Sequence, residues 1–349
     1  MSLVISEQPA QPVAATQTAS LAPLRTAATI FVLCPAGMVT GGPELLHQLV
    51  HNLRRLGRDA RIAYVPEGPA ETPAAYLGYA CPVADRIVDA PGNLIVSPET
   101  LTGHLRRVRH AHCAVWWLSV DNYAGNFATP VLARMRLRRL LHANGADRPG
   151  VIDLCQSHYA RDFVRQRFGR VGVMLSDHLN DEFLPPTAAS HGAPRDAVVL
   201  YNPRKDSVFG RCLRLLARDI HFVPLQNMSR AQVIERMRSA KVYIDFGFHP
   251  GKDRIPREAA MCGCAVVVVR LGAARNDLDV PLPQRYKLEP DLASLGAARR
   301  LLRHCLDDND AALAAQDEYR QSIGRERAAF LEQVSELFAG RPAASAALS

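Results

Sequence analysis

Aromatic side chains are scarce, at 6% of the 349 residues. A surface that stacks single-stranded nucleic acid interleaves rings with cations, and this composition offers little material for one, so no nucleic-acid partner is expected. Long apolar runs are missing too. None reaches the roughly 20 residues that span a bilayer, and the N-terminus lacks the basic flank and continuous apolar core of a secretory signal, so the expected location is the cytoplasm. Eight cysteines, at 34, 81, 113, 155, 212, 262, 264 and 305, are scattered among apolar neighbours and read as buried reduced thiols rather than a disulfide framework. The one close pair, Cys262 and Cys264, has no second Cys/His pair nearby. A zinc site therefore lacks its usual ligand spacing, and no metal is expected.

Hydrophobic residues make up 48% and charged residues 22%, values typical of soluble chains that bury a core, which excludes global disorder. The length suggests two medium domains or one large one. Lys plus Arg exceed Asp plus Glu by 42 − 34 = +8, which favours anionic partners without separating nucleic acid, acidic lipid and a nucleotide-sugar pyrophosphate. Arginines cluster at 106, 107 and 109 and at 134, 136, 138 and 139. Both clusters read first as solvated helix faces, and both also offer peripheral contact with an anionic membrane.

Residues 1–26 are rich in Ala, Pro, Gln and Thr without periodicity and are expected to form a disordered leader, as is the tail at 339–349. Between them the pattern predicts two α/β units. In the first, 27–178, an apolar run at 28–34 ends in Pro35, a Gly-containing loop follows, and Pro43 and Glu44 open a helix to about Leu56 with Gly57 as its stop. With the strand at 61–65 this is one β-loop-α-β unit of a doubly wound parallel sheet. Further strands are predicted at 86–89, 93–96, 113–119, 151–155 and 171–175, and helices at 100–110, 129–143 and 158–168. Residues 179–195 have linker composition. The second unit, 196–338, repeats the plan with strands at 197–201, 220–223, 242–245 and 264–269, helices at 229–240 and 257–262, and closing helices at 291–305 and 309–337. The last is long enough to reach back to the first unit. Two Rossmann-like domains face each other across a cleft at the carboxyl ends of their strands, the default ligand site of such sheets.

Chemistry concentrates in a few loops. Thr40-Gly41-Gly42-Pro43-Glu44 joins a buried strand to a helix, where glycines admit a ligand to the backbone and the helix start favours an anion. It is neither G-x-G-x-x-G nor a P-loop, which weakens dehydrogenase and ATPase readings. The densest segment is Asp245 to Cys264. It holds His249, Lys252, Asp253 and Arg254 in a loop and Glu258 in the first turn of a helix expected to start near Pro256. Such a set of charges at the end of a parallel sheet points to function. A third loop follows Trp116 and Trp117 and contains Asp121 and Tyr123. Asp121 is a candidate general base toward an acceptor hydroxyl, and Trp117 or Tyr123 a stacking platform for a sugar ring. His47 and His51, one helical turn apart, have no acid to complete a metal pair and read as a solvated face. Asn180, Asp181 and Glu182 read as turn and cap groups.

The run Glu258-Ala259-Ala260-Met261-Cys262-Gly263-Cys264-Ala265-Val266 resembles the Glu-Ala-x-x-x-Gly-x-x-Val segment of GT-B glycosyltransferases, especially those of family 4 type. Thr40 to Glu44 is similar to their N-terminal glycine loop, and Leu200-Tyr201-Asn202-Pro203-Arg204-Lys205 stands where their donor domain begins with basic residues. The resemblance implies a fold of two Rossmann-like domains and a nucleoside diphosphate sugar as donor substrate, with no cofactor and no obligatory metal. It implies that Glu258 takes the donor ribose, that Arg204 and Lys205 grip the pyrophosphate, and that Gly41 and Gly42 approach the donor phosphate and acceptor. Lys252 and Arg254 are added on chemical grounds, since a departing diphosphate develops charge that fixed cations stabilise. The acceptor implied is a glycan or lipid-linked hydroxyl in surface polysaccharide synthesis, with retention ahead of inversion. The sequence departs from the family where a first glutamate should stand eight positions before Glu258. That position is Pro250, and the neighbouring His249 is the candidate for its contact to the sugar. A nucleotide-sugar epimerase on the same fold and a non-catalytic polyanion-binding module are the competing readings.

Overall fold

The computed structural model describes residues 19–68, 71–124, 145–184 and 194–339. The predicted helix at 129–143 with its arginines, most of the leader and linker, and the tail beyond 339 lie outside them.

The first domain is a parallel six-stranded sheet. Its strands are β1 (Ile30–Pro35), β2 (Ala60–Val65), β3 (Leu94–Pro98), β4 (His112–Trp117), β5 (Ile152–Cys155) and β6 (Val173–Met174), in the order β2-β1-β3-β4-β5-β6. β1 and β3 are almost wholly buried, as strands covered on both faces must be, and this explains their unbroken apolar sequences. Helix α1 (Ala22–Thr26) precedes the sheet, α2 (Gly41–Arg55) follows β1, and α3 (Val120–Ala124) and α4 (His158–Phe168) follow β4 and β5. The second domain is a parallel five-stranded sheet of β7 (Asp196–Tyr201), β8 (His221–Pro224), β9 (Ala240–Asp245), β10 (Ala265–Val269) and β11 (Lys287–Leu288), in the order β11-β10-β9-β7-β8. Around it lie α5 (Val208–Leu216), α6 (Arg230–Ser239), α7 (Arg254–Met261), α8 (Leu295–Asp307), α9 (Asn309–Ala314) and α10 (Asp317–Phe338).

Several expectations are corrected. The leader is not disordered throughout: α1 is folded, and Leu24 is buried in the first core because an apolar side chain at that point meets β1, α2 and the end of α10. Residues 86–89 form no strand; the chain pairs only through a bridge between Ile62 and Val83. Residues 99–107 wind as a 3-10 helix rather than an α-helix. The segment at 179–184 is no free linker either, since Leu179 and Phe183 are buried in the second core.

Helix α10 does reach back. Tyr319 and Ile323 belong to the second core, Phe330, Val334 and Phe338 to the first. Arg58 fastens its end by donating to the carbonyls of Phe338, Leu24 and Ala27, and Gln333 accepts both the amide and the hydroxyl of Ser176 at 2.7 and 2.9 Å.

Candidate functional site

In each sheet the strand order reverses beside the first strand, between β1 and β3 in one domain and between β7 and β9 in the other. Loops leaving the carboxyl ends of strands at such a switch point diverge and open a crevice. The chain places there an uncharged glycine-containing loop, residues 36–40 after β1, and charge-bearing segments: Glu99 after β3, residues 202–206 after β7, and residues 246–253 after β9.

Glu44, in the first turn of α2, is buried where the domains meet. Arg254 Nη1 lies 3.1 Å from its Oε2 and Arg230 Nη1 3.2 Å from its Oε1. Tyr79 Oη donates to the same Oε1 at 3.2 Å, and Asn180 Nδ2 also donates to it. Burial opposes the charge, but Arg254, Asn180 and Arg230 outweigh it and hold the carboxyl below its ordinary range. A Cβ at Gly41 would lie 3.0 Å from Arg254 Cδ and press on that side chain; at Gly42 nothing stands within 4 Å, which leaves that backbone open to a ligand.

α7 starts at Arg254, two residues earlier than expected, so Pro256 sits inside its first turn, where its missing N–H costs no helix bond. Arg254 Nε reaches Glu258 Oε1 at 3.4 Å, one helical turn on. Glu258 is buried and its pKa is raised, desolvation exceeding the pull of Arg254, Arg230 and Arg257. The cleft thus holds a carboxylate short of hydrogen-bond partners beside guanidinium groups. That combination suits a diol and an adjoining anion.

Solved structures that share this architecture include glycosyltransferases. A glycosyltransferase from Rickettsia africae ESF-5 superposes with a TM-score of 0.59 at 12% identity, over 89% of this chain and 98% of that one. WaaG, a glycosyltransferase involved in lipopolysaccharide biosynthesis, gives 0.58 at 12% identity over 90% and 100%. Sucrose-phosphate synthase from Thermosynechococcus elongatus gives 0.56 at 13% identity over 89% and 95%. No protein-family profile and no curated protein matches the sequence. The fold is GT-B.

Within the GT-B frame the predicted site residues separate into two groups. Gly41, Gly42, Arg254 and Glu258 gather at the interdomain cleft as described. Arg204 stands at the carboxyl end of β7, exposed and with no side-chain partner among the described residues. The others are already engaged. Lys205 contacts Asp253 and lies 3.9 Å from Asp245. Lys252 pairs with Glu326 of α10 at 2.6 Å. His249 is buried, with Nδ1 2.9 Å from Asp253 and Nε2 3.8 Å from Asp245; burial lowers its pKa, but Asp245 and Asp253 win and raise it. Its Nε2 has no hydrogen-bond partner among the described residues. Asp245, His249 and Asp253 could together offer three ligand atoms to a cation, the one such grouping among the described residues, yet the Lys205 ammonium already lies against two of them.

Asp121 accepts from Tyr159 Oη at 3.1 and 3.3 Å, and burial raises its pKa. Among the described residues no hydrogen bond or ion pair joins it to the Arg254 cluster. Trp117 is no stacking platform: it is fully buried, donates to Asp153 at 2.9 Å and packs against Tyr123 and Phe163. The helix face of His47 and His51 is not solvated, because His47 bonds the Pro43 carbonyl and Tyr64 Oη, and His51 the Tyr79 carbonyl. Cys262 and Cys264 are free thiols, raised by burial to about 11 and about 12.

Sequence reasoning missed the partners. Glu44 was visible only as a helix-opening acid and Asn180 as a turn residue, and Arg230 was not singled out at all. Nothing in their local sequence announces that they converge.

Proposed function

We propose that the protein is a glycosyltransferase that moves a sugar from a nucleoside diphosphate sugar to a hydroxyl acceptor on a glycan or lipid-linked carrier, in surface polysaccharide synthesis. The observation that carries this reading is Glu258, a buried carboxylate at the switch point of the second sheet with only Arg254 bonded to it. A carboxylate so placed accepts the two hydroxyls of a ribose. Arg204 is the free cation for the diphosphate, and Arg254 the second. Its Nη1 contact with Glu44 lacks hydrogen-bond alignment, so an incoming phosphate oxygen competes for that N–H. As the sugar–phosphate bond breaks, these fixed charges stabilise the departing diphosphate, and the reaction needs no metal. Asp121, the base that inversion would call on, is engaged by the Tyr159 hydroxyl, and we take retention as the outcome. The enzyme works at the cytoplasmic side, with the exposed Arg106, Arg107 and Arg109 available for peripheral contact with anionic lipid.

A thermal-shift series with UDP, GDP, dTDP, CDP and CMP and their sugars tests the donor site. A ligand at 100 times its dissociation constant stabilises by about 2.7 kcal/mol, so one base is expected to raise the Tm of the wild type, and Glu258→Ala is expected to lose that shift. Silence with every nucleotide would sink the proposal. A sugar nucleotide altered without any acceptor would turn it into the epimerase reading.

A further inference from the structure

We propose that the first domain carries a second anion site, for a phosphate group, in a hollow of about 320 Å³ lined by Arg106, Val108, Arg109, Asp147 and Arg148. The hollow lies just before β4 and just before β5, at the amino ends of strands whose carboxyl ends face the cleft. It is therefore separate from the donor site and stands independently of the donor reading.

Its walls are built rather than incidental. The turn at Gly145 to Asp147 packs so closely on the 3-10 helix that a Cβ at Gly145 would lie 2.5 Å from the Thr102 carbonyl oxygen and 2.6 Å from Leu105 Cβ. Leu105 anchors that helix in the core, and Arg148 donates Nη1 to the Leu105 carbonyl, which fixes its guanidinium at the rim. Asp89 accepts the amides of Arg109, His110 and Ala111 at 2.6, 2.8 and 2.8 Å, so the backbone that carries Arg109 is held as well. A held Arg148 side chain and a held backbone at Arg109 lower part of the ordering cost of binding. Arg106, Arg109 and Arg148 have no ion-pair partner among the described residues, and neither does Asp147. Three guanidinium groups and one carboxylate leave the hollow with a net charge of +2, which matches one dianionic phosphate, and the planar forks suit its oxygens.

The shared chemistry is a phosphate, and it can come free in solution or on a lipid headgroup. The test compares wild type with Arg106→Gln/Arg109→Gln and with Arg211→Gln/Arg218→Gln, which removes the same charge from exposed positions in the second domain. One arm titrates inorganic phosphate calorimetrically at constant ionic strength; the other sediments the protein with phosphatidylglycerol/phosphatidylcholine vesicles. Losing two charge-assisted contacts is expected to weaken binding about tenfold or more, in the first variant alone. Loss confined to the phosphate arm assigns a soluble ligand, and loss confined to the vesicle arm assigns a headgroup. If the two double variants behave alike in both arms, the site does not exist.

Discussion

Arg257→Met is expected to destabilise the protein by about 3–5 kcal/mol, the usual cost of removing one partner from a buried ion network. Arg257 is 1% exposed. It bonds Asp177 and Glu326 at 2.6 Å each and donates to the carbonyls of Asp253 and Lys252 at 3.1 and 3.0 Å. Methionine fills the volume but leaves Asp177, fully buried, without its strongest counter-charge. Burial works against ionisation of Asp177, yet Arg257 and Lys252 outweigh it and hold its pKa below the ordinary value. The sign follows from that direction. The Asp177 contribution is present above its unfolded pKa and fades as pH falls through the folded one, so the gap between wild type and variant should narrow in acid. Urea titration at neutral pH checks the magnitude, read as a lower midpoint at unchanged slope. Adding Asp177→Leu, Glu326→Leu and Lys252→Met together should recover much of the loss, since Lys252 pairs with Glu326 at 2.6 Å and must lose its charge with the acids, and apolar groups often replace buried ions at little net cost. A single-variant loss below about 1 kcal/mol would show that the network is solvated and contributes as little as a surface pair.

The same network shows where sequence reading stops. β1 and β10 were legible because a strand covered on both faces must be apolar, β7 and β9 because their buried centres are apolar, and the loops at their carboxyl ends stood out by their density of charge. Those rules concern neighbours in sequence. The destination of a charge is set by the fold: Lys252 looked like a phosphate ligand until α10 brought Glu326 beside it, and Lys205 until Asp253 turned toward it instead of capping α7. Trp117 failed for a related reason. An aromatic at a strand end can face the cleft or the core, and only the positions of Phe163, Tyr123 and Asp153 decide. Arg254 and Glu258 lie one helical turn apart, a relation the sequence reading did not see because it started the helix near Pro256 and left Arg254 in the loop.

Glu99→Gln is expected to stabilise the protein in a pH-dependent way. Glu99 follows β3 at the switch point of the first sheet, buried, with Oε2 accepting the Leu118 amide at 3.0 Å and no cation beside it among the described residues. Desolvation pushes its pKa from 4.5 up to about 7. An acid whose folded pKa lies above its unfolded value makes the fold most stable below about pH 4.5, loses stability as pH rises toward 7, and carries the full penalty above that. The separation of the two values corresponds to about 3 kcal/mol. Glutamine keeps an acceptor for the Leu118 amide and cannot ionise. The variant should match wild type near pH 4 and exceed it at pH 8 by up to about 3 kcal/mol, read from urea midpoints at the two pH values. An equal difference at both would mean that the carboxyl is not ionising inside the fold. The effect would not stay local. A Cβ at Gly251 would meet the Leu118 carbonyl oxygen at 2.0 Å, and the Lys252 amide donates to Gln156 at 3.1 Å, so the backbone that Glu99 holds is the surface on which the donor-side loop rests.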